Sequence, residues 1–163
     1  MIHFVGAGPG APDLITRRGA ALLQAADCII YAGSLVNPAL LGLAREGCAV
    51  YNSAEMTLEQ VLAVMRQMEA AGRTTVRLHT GDPCLYGAIR EQMDVLDAEG
   101  IPYDDTPGVS SFCGAAAATP GLVPVAVAPA LDRIERYSST PPGQCLTWPS
   151  MRAYWSSVTR SMR

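Results

Sequence analysis

The sequence contains no lysine, and its 12 side chains of the lysine and arginine type are all arginines. Mechanisms that need a lysine Schiff base or a lysine general acid are therefore excluded. It also lacks an apolar run of the roughly 20 residues that a membrane-spanning helix requires. The amino terminus has neither the basic region nor the long apolar region of a signal peptide. These absences predict a cytoplasmic protein that does not insert into a membrane.

Charge and cysteine patterning argue against two further kinds of site. The net charge is −3 and the isoelectric point is about 5.3, so the basic face that a nucleic-acid partner needs is not indicated. The five cysteines are scattered, without CxxC pairs or Cys/His metal spacing. They predict free thiols in a reducing cytosol, with no metal site and no disulfide framework. A hydrophobic content of 49% favours a globular domain with a buried core.

Short apolar segments alternate with helical patterns over residues 1–119. Thr16 is a candidate helix N-cap, and Thr57 with Gln60 fits a capping box. Strands that alternate with helices predict an α/β fold, here a five-stranded, mainly parallel sheet with flanking helices. The predicted strands cover residues 2–5, 28–31, 48–51 and 74–78, and a fifth begins at residue 101.

The character of the sequence changes near residue 119. Residues 120–163 hold half of the prolines and both tryptophans, and they carry a net charge of +3 against −6 for residues 1–119. We therefore predict one α/β domain over residues 1–119 and an atypical, irregular tail over residues 120–163. A poorly ordered tail and a membrane-surface helix over residues 151–163 are both open for this segment. The abrupt change suggests a frameshift or a truncated gene product.

Glycine-rich or polar loops follow several predicted strands. Residues 6–10 follow the first strand, Thr80-Gly81-Asp82 follows the fourth, and Ser110-Ser111 opens the last helix. In open α/β sheets, ligands bind beyond the carboxyl ends of the strands. The loops are therefore expected to meet at one rim of the sheet, where Asp82 can accept hydrogen bonds from vicinal hydroxyls or an amine.

A dinucleotide site is the alternative reading of the first loop. Gly6, Gly8 and Ala11 fit the loose G-x-G-x-x-A pattern. That pattern also wants an acidic residue at the end of the second strand, whereas Asp27 precedes this strand. Pro9 in the loop has no amide donor for a pyrophosphate. The sequence therefore disfavours nicotinamide or flavin binding.

Taken together and in this order, the loops resemble the tetrapyrrole (precorrin and uroporphyrinogen) methylase family, and within it the precorrin-4 C11-methyltransferase branch. The resemblance covers about residues 1–119. It rests on residues 5–16 (VGAGPGAPDLIT), 31–36 (YAGSLV), 52–57 (NSAEMT), 80–91 (TGDPCLYGAIRE) and 107–111 (PGVSS).

The resemblance implies S-adenosylmethionine-dependent C-methylation of a precorrin, with the cofactor in a cleft between two α/β domains of a homodimer. Arg90 would face a carboxylate of the tetrapyrrole, or it is a solvated helix arginine. The implied cofactor contacts are Pro9, Thr80, Gly81, Asp82, Leu85, Ser110 and Ser111. The implied substrate contacts are Gly8, Gly10, Tyr86 and Arg90.

Departures from the family pattern limit what the resemblance implies. The acid/base Asp and Lys of the uroporphyrinogen branch are not matched at Ala32-Gly33 or at residues 53–55, so no catalytic residue is carried over and Glu91 is the one carboxylate named as a candidate. The family's second domain has no recognisable counterpart in residues 120–163. A non-catalytic amino-terminal fragment and a methylase for another tetrapyrrole, such as uroporphyrinogen III, are therefore the alternatives. An incomplete cleft would also expose apolar surface and promote association.

Overall fold

The computed structural model of the chain describes residues 1–85 and 87–118. Tyr86, Cys145 and the tail predicted for residues 120–163 lie outside the described residues. The strands are β1 (Ile2–Gly6), β2 (Cys28–Tyr31), β3 (Ala49–Asn52), β4 (Thr75–His79) and β5 (Tyr103–Thr106). The α-helices are α1 (Arg17–Ala25), α2 (Leu58–Ala70), α3 (Arg90–Glu99) and α4 (Ser111–Ala118). Short 3₁₀ segments cover Pro12–Leu14, Gly33–Leu35, Pro38–Leu43 and Ser53–Glu55.

The five described strands form one sheet in the order β3-β2-β4-β1-β5. Every pairing in it is parallel, so the predicted α/β fold with a parallel sheet is confirmed. β4 lies in the middle of the sheet and all five of its residues are buried. The carboxyl ends of β1, β4 and β5 are neighbours, which brings the loops that follow them to one edge.

The N-cap predicted at Thr16 and the capping box predicted at Thr57 and Gln60 both form in the structure. The Thr16 side chain accepts a hydrogen bond from the Gly19 amide at 3.1 Å, and α1 starts one residue later. The Thr57 amide donates to Gln60 Oε1 at 2.8 Å, and the Gln60 amide donates to Thr57 Oγ1 at 3.3 Å. This reciprocal pair fixes the start of α2 by satisfying two amides that have no partner within the helix.

Two apolar layers cover the sheet, one on each face. Because side chains alternate along a strand, Phe4 and Ile30 face one layer while Val5 and Ile29 face the other. The first layer is supplied by α2 and α3, and the second by α1 and the 3₁₀ segment Pro38–Leu43. The α2 methionines lie in the first layer, with Met65 fully buried.

Several element boundaries differ from the prediction: β1 extends one residue further, and β3 and β4 are each shifted by one residue. Pro38, a residue typical of a helix start, begins the 3₁₀ helix Pro38–Leu43. β5 begins at Tyr103 and not at residue 101, since Pro102 has no amide to donate to the sheet and only its carbonyl pairs, with the Ile2 amide at 3.3 Å. The last helix covers Ser111–Ala118, whereas the sequence predicts a helix over residues 109–118.

Two further properties hold for the part of the chain that the structure describes. None of its helices is long and apolar enough to cross a membrane. Its four cysteines form no disulfide. Burial raises the pKa of the Cys28 thiol to about 12, so this cysteine behaves as a small apolar residue of the core.

Candidate functional site

The loops after β1 and β4 pair with each other beyond the sheet. The Gly8 amide donates to the Gly81 carbonyl at 3.2 Å, and the Gly81 amide donates to the Gly8 carbonyl at 2.8 Å. Just before them, the Ala7 amide donates to the His79 carbonyl at 2.7 Å. These hydrogen bonds satisfy the local backbone and fix the first two loops against each other.

The loop after β5 reaches the same place through glycine backbones. A Cβ on Gly108 would lie 2.1 Å from the Gly81 carbonyl oxygen, and a Cβ on Gly6 would lie 2.5 Å from the Gly108 Cα. A Cβ on Gly81 would lie 3.1 Å from both the amide nitrogen and Oγ of Ser111. Only residues without a side chain can pack this closely. The predicted meeting of the three loops is therefore confirmed, and we name residues 8–10, 80–82 and 110–111 the three-loop edge.

Ser110, Ser111 and Pro9 are brought together at the start of α4. Ser110 Oγ accepts from the Phe112 amide at 3.3 Å, and the Ser110 carbonyl accepts from the Cys113 amide at 2.9 Å. A Cβ on Gly114 would lie 2.3 Å from the Cβ of Pro9, so α4 packs directly on the first loop. The two serines and Pro9 thus form one continuous surface.

Asp82 is held in a turn at the rim of this surface. Its Oδ1 accepts from the Cys84 amide at 2.8 Å, and its carbonyl accepts from the Leu85 amide at 3.0 Å. The carboxylate is half-buried, like the neighbouring Thr80, while Leu85 is 41% exposed. A fixed carboxylate with an apolar side chain beside it can accept hydrogen bonds from a ligand that is partly apolar.

The residues predicted to contact substrate have mixed placements. Gly8 and Gly10 lie in the three-loop edge with φ of 80° and 119°, conformations that glycine adopts at low cost. Arg90 starts α3, and its Nε pairs with Asp94 Oδ1 at 2.8 Å on the same helix. Glu91 is exposed in the first turn of α3. Arg90 therefore forms an ion pair within its own helix, and its contact with a substrate stays a prediction.

Asn37 supports the first loop and was not predicted to do so. Its Nδ2 donates to the Gly10 carbonyl at 2.7 Å, while its Oδ1 accepts from the Ala39 amide at 3.0 Å. An asparagine directly before a proline is a recognisable helix cap, and Pro38 follows it here. The cap could have been read from the sequence, but the contact with Gly10 spans 27 residues and could not.

A buried polar layer lies behind the loops, under α3. Arg77 is 6% exposed, and it donates Nε to Gln92 Oε1 and Nη1 to the Ile30 carbonyl, both at 3.1 Å. Burial lowers the pKa of Arg77 to about 10. Burial, followed by the Arg77 charge, lowers the pKa of His79 to about 3. His79 is thus a neutral core histidine and a poor general base.

A protonatable carboxyl group lies close to Asp82. Cys84 Sγ donates to Asp105 Oδ2 at 3.0 Å. Burial raises the pKa of Asp105, and the charges of Asp82 and Asp104 raise it further. Asp105 sits in β5, where neither its burial nor this neighbour was visible in the sequence.

Asp27 excludes the dinucleotide reading. Its Oδ2 accepts from the Thr74 amide at 2.8 Å, and its Oδ1 pairs with Arg45. These contacts lie at the amino end of β2, at the sheet edge opposite the glycine loop. At the carboxyl end of β2, Gly33 packs against Ala54, where a Cβ on the glycine would lie 2.9 Å from the alanine Cβ. No carboxylate of β2 therefore stands where a ribose would bind.

Comparison with known proteins places this geometry in a family. The family model described as Tetrapyrrole (Corrin/Porphyrin) Methylases matches residues 1–128. The cobalt-precorrin-4 C(11)-methyltransferase of Methanocaldococcus jannaschii is 52% identical over 116 residues, which are 71% of this chain and 45% of that protein. The X-ray structure of a cobalamin biosynthetic enzyme, a cobalt precorrin-4 methyltransferase, is similar with a TM-score of 0.70 and 47% identity, over 72% of this chain and 49% of that one. The uroporphyrin-III C-methyltransferase of Thermus thermophilus, complexed with S-adenosyl homocysteine, has a TM-score of 0.59 and 32% identity, over 70% of this chain and 47% of that one.

The chain thus spans about half the length of these relatives. The family match reaches residue 128, so the likeness continues past residue 119, where the sequence analysis ended it. It covers the five described strands and the loops of the three-loop edge. The chain belongs to the tetrapyrrole methylase family.

Proposed function

We propose that the three-loop edge binds S-adenosylmethionine, and that the chain serves the C-methylation of (cobalt-)precorrin-4 at C11 to give (cobalt-)precorrin-5 in cobalamin biosynthesis. The observation that carries the proposal is the direct backbone contact of Gly6, Gly81 and Gly108, which gathers three loops at one edge. The names of the relatives that match at 52% and 47% identity support the choice of substrate.

The residues of the edge suit this cofactor. S-adenosylmethionine has a neutral adenosine, a sulfonium cation and no phosphate, so it needs hydroxyls, amides and a carboxylate more than it needs arginines. Pro9 and Leu85 offer apolar surface for the adenine, and Asp82 offers an acceptor for the ribose hydroxyls or the amine. Thr80, Ser110 and Ser111 add hydroxyls. A related structure carries S-adenosyl homocysteine, which supports the assignment.

The chain's part in the reaction is to orient the reactants. When bound, S-adenosylmethionine supplies an activated methyl group, and an electron-rich carbon of the macrocycle can attack it without an enzyme nucleophile. Holding the reacting atoms in line supplies much of the rate. In this proposal residues 8–10 and the start of α3 border the tetrapyrrole, with Arg90 exchanging Asp94 for a substrate carboxylate and Glu91 as the candidate acid or base. We expect the protein to act in the cytoplasm as a homodimer.

A second candidate is a non-catalytic amino-terminal half that binds a tetrapyrrole weakly. The observation that favours it is that the described residues supply one parallel sheet and one set of strand-end loops, which form one wall of a ligand site. Binding sites usually enclose 70–90% of a small ligand, and an edge with one wall would enclose less. Methylation of uroporphyrinogen III is the other substrate to test, because a uroporphyrin-III methyltransferase shares the fold.

Titration calorimetry of the 163-residue chain with S-adenosylhomocysteine tests the proposal. Micromolar binding is expected, and no detectable heat would contradict cofactor binding and favour the half-protein. Asp82→Asn keeps the acceptor for the Cys84 amide but removes the charge, so we expect roughly tenfold weaker binding. Asp13→Asn, on an exposed 3₁₀ turn, is the matched control and should leave binding unchanged. Titration with NADH should give no heat, and methyl-transfer assays on precorrin-4 and uroporphyrinogen III then identify the substrate.

A further inference from the structure

We propose that Asn37 is a positioning residue for the cofactor site, and that it acts through Gly10 without touching the ligand. This inference rests on the proposed function of the three-loop edge. Asn37 follows β2 and belongs to none of the three loops, yet its side chain joins the first loop to the start of the segment Pro38–Leu43. One amide group thus performs two separable tasks.

The first task is structural. Asn37 Oδ1 accepts from the Ala39 amide at 3.0 Å and caps the 3₁₀ segment. The second task concerns the loop. Asn37 Nδ2 donates to the Gly10 carbonyl at 2.7 Å, from the opposite end of the same amide. The donor and the acceptor roles can therefore be removed one at a time.

The first loop depends on the hydrogen bond from Asn37 Nδ2 to the Gly10 carbonyl, which we call the tether. Gly10 lies at the outer end of the loop, where few other described contacts hold it. Gly8 is fixed by its two hydrogen bonds with Gly81, and Pro9 is fixed by Gly114 of α4. Gly10 has φ of 119°, and a Cβ built on it meets nothing within 4 Å. A side chain at that position would thus meet no packing partner, and the described contact that holds the Gly10 carbonyl is the Asn37 hydrogen bond.

The tether should increase the affinity of the site for the cofactor. A loop that is already ordered loses less conformational freedom when a ligand binds, so the free energy of binding improves. Pro9 lies between the two fixed points, and it is one of the residues proposed to contact the cofactor. Loss of the Gly10 tether would leave Pro9 held by its contact with Gly114 and by the neighbouring Gly8 pairing, so the Pro9–Gly10 peptide could shift while the core of the domain stays intact.

Two substitutions separate the tasks of Asn37. Asn37→Asp keeps the capping oxygen, since Asp and Asn are equally good N-caps, but it places a carboxylate oxygen against the Gly10 carbonyl. Asn37→Ser also keeps a capping oxygen and removes the donor without adding a charge. The matched control is Asn52→Asp. Asn52 caps Ser53–Glu55 by accepting from the Ala54 amide at 3.1 Å, but its Nδ2 donates to Glu55 Oε1 at 2.9 Å.

Calorimetry with S-adenosylhomocysteine on the full chain gives the first readout. We expect about tenfold weaker binding for Asn37→Asp and about fivefold for Asn37→Ser, as the loss of one hydrogen bond implies. Asn52→Asp should bind within about twofold of the unchanged protein, and both Asp variants should unfold at nearly the same temperature. Unchanged binding by Asn37→Asp, or an equal loss in Asn52→Asp, would overturn the inference and leave the proposed function standing.

Amide hydrogen exchange without ligand gives the second readout. The Gly8 and Gly81 amides, which pair the first two loops, should exchange several-fold faster in Asn37→Asp than in Asn52→Asp. If the unchanged protein binds no S-adenosylhomocysteine, the proposed function is wrong, and exchange alone then decides whether Asn37 orders the loop. Equal exchange in the two variants would refute the tether.

Discussion

The two ends of the parallel strands are held by different interactions. We call the end with the strand amino termini the amino edge, and the end with the strand carboxyl termini the carboxyl edge. At the amino edge, charged groups form ion pairs and hydrogen bonds. Asp27 pairs with Arg45 and accepts from the Thr74 amide, and the terminal amino group of Met1 pairs with Glu69. At the carboxyl edge, the loops are held by backbone hydrogen bonds and glycine contacts, and large apolar side chains such as Leu85 remain exposed.

This difference separates the parts that stabilise the fold from the parts that can bind a ligand. The ion pairs at the amino edge hold side chains to each other and connect neighbouring elements. Glycine contacts bring backbones close together and keep amides, hydroxyls and the Asp82 carboxylate near the surface. The carboxyl edge of a parallel sheet is also where ligands of such folds bind. Substitutions at the amino edge should therefore change stability alone, whereas substitutions at the carboxyl edge should also change binding.

The largest effect is expected from Gly108→Ala. The new Cβ would lie 2.1 Å from the Gly81 carbonyl oxygen and 2.8 Å from the Gly6 Cα, so the loops must separate. We expect a loss of about 3 kcal/mol in the free energy of unfolding and no measurable S-adenosylhomocysteine binding. Urea denaturation and calorimetry measure the two effects. Gly42→Ala is the control, since a Cβ there meets nothing within 4 Å, and its behaving like Gly108→Ala would contradict the role of the glycine contacts.

The next effect tests the amino edge. Asp27→Ala removes the acceptor for the Thr74 amide and the partner of Arg45, so the free energy of unfolding should fall by about 2 kcal/mol. Asp27→Asn keeps an acceptor for the amide and should lose roughly half as much. Calorimetry on the folded variants should show the same S-adenosylhomocysteine affinity as the unchanged protein. A tenfold loss of affinity in either variant would show that the two edges are coupled.

Much of the fold was predictable because its signals are local. The capping box at Thr57, the helix stop at Gly100 and the alternation of apolar strands each depend on a few neighbouring residues. The meeting of the three loops was predictable for a related reason. Strands in a parallel sheet end at a common edge, so residues that follow them are brought together by topology.

The rest of the site depends on contacts between distant parts of the chain. The sequence marked Asn37 as no more than a residue before a proline, since its partner Gly10 lies in another loop. Arg77 is predicted from the sequence as a strand residue and nothing more, because its burial follows from the packing of α3 over β4. The raised pKa of Asp105 depends in the same way on burial and on carboxylates from another loop.

The pH dependence of the free energy of unfolding tests the burial of His79. This residue ends β4, next to the carboxyl edge. Its pKa is lowered to about 3 in the folded protein, against an ordinary pKa of 6.5 for histidine, so the unfolded chain binds a proton first as the pH falls. Its contribution to stability is complete above pH 6.5 and is lost between pH 6.5 and about 3, by about 1 kcal/mol per pH unit. His79→Gln should be less stable at pH 7 but lose stability less steeply between pH 6 and 4. Urea denaturation across this range measures the slope, and equal slopes in both proteins would contradict a buried neutral imidazole.

The smallest effect on stability should come from the exposed apolar side chains of the carboxyl edge. Phe112 in α4 is 58% exposed, so Phe112→Ser should change the free energy of unfolding by no more than about 0.5 kcal/mol. Because exposed apolar surface promotes contact between molecules, the same change should lower concentration-dependent association in sedimentation experiments. Val50→Thr on the edge strand β3 is the control, since Val50 is 43% exposed but lies away from the three-loop edge. If both variants reduce association equally, the carboxyl edge promotes association no more than the rest of the surface does. The difference between the two edges would then rest on the glycine contacts alone.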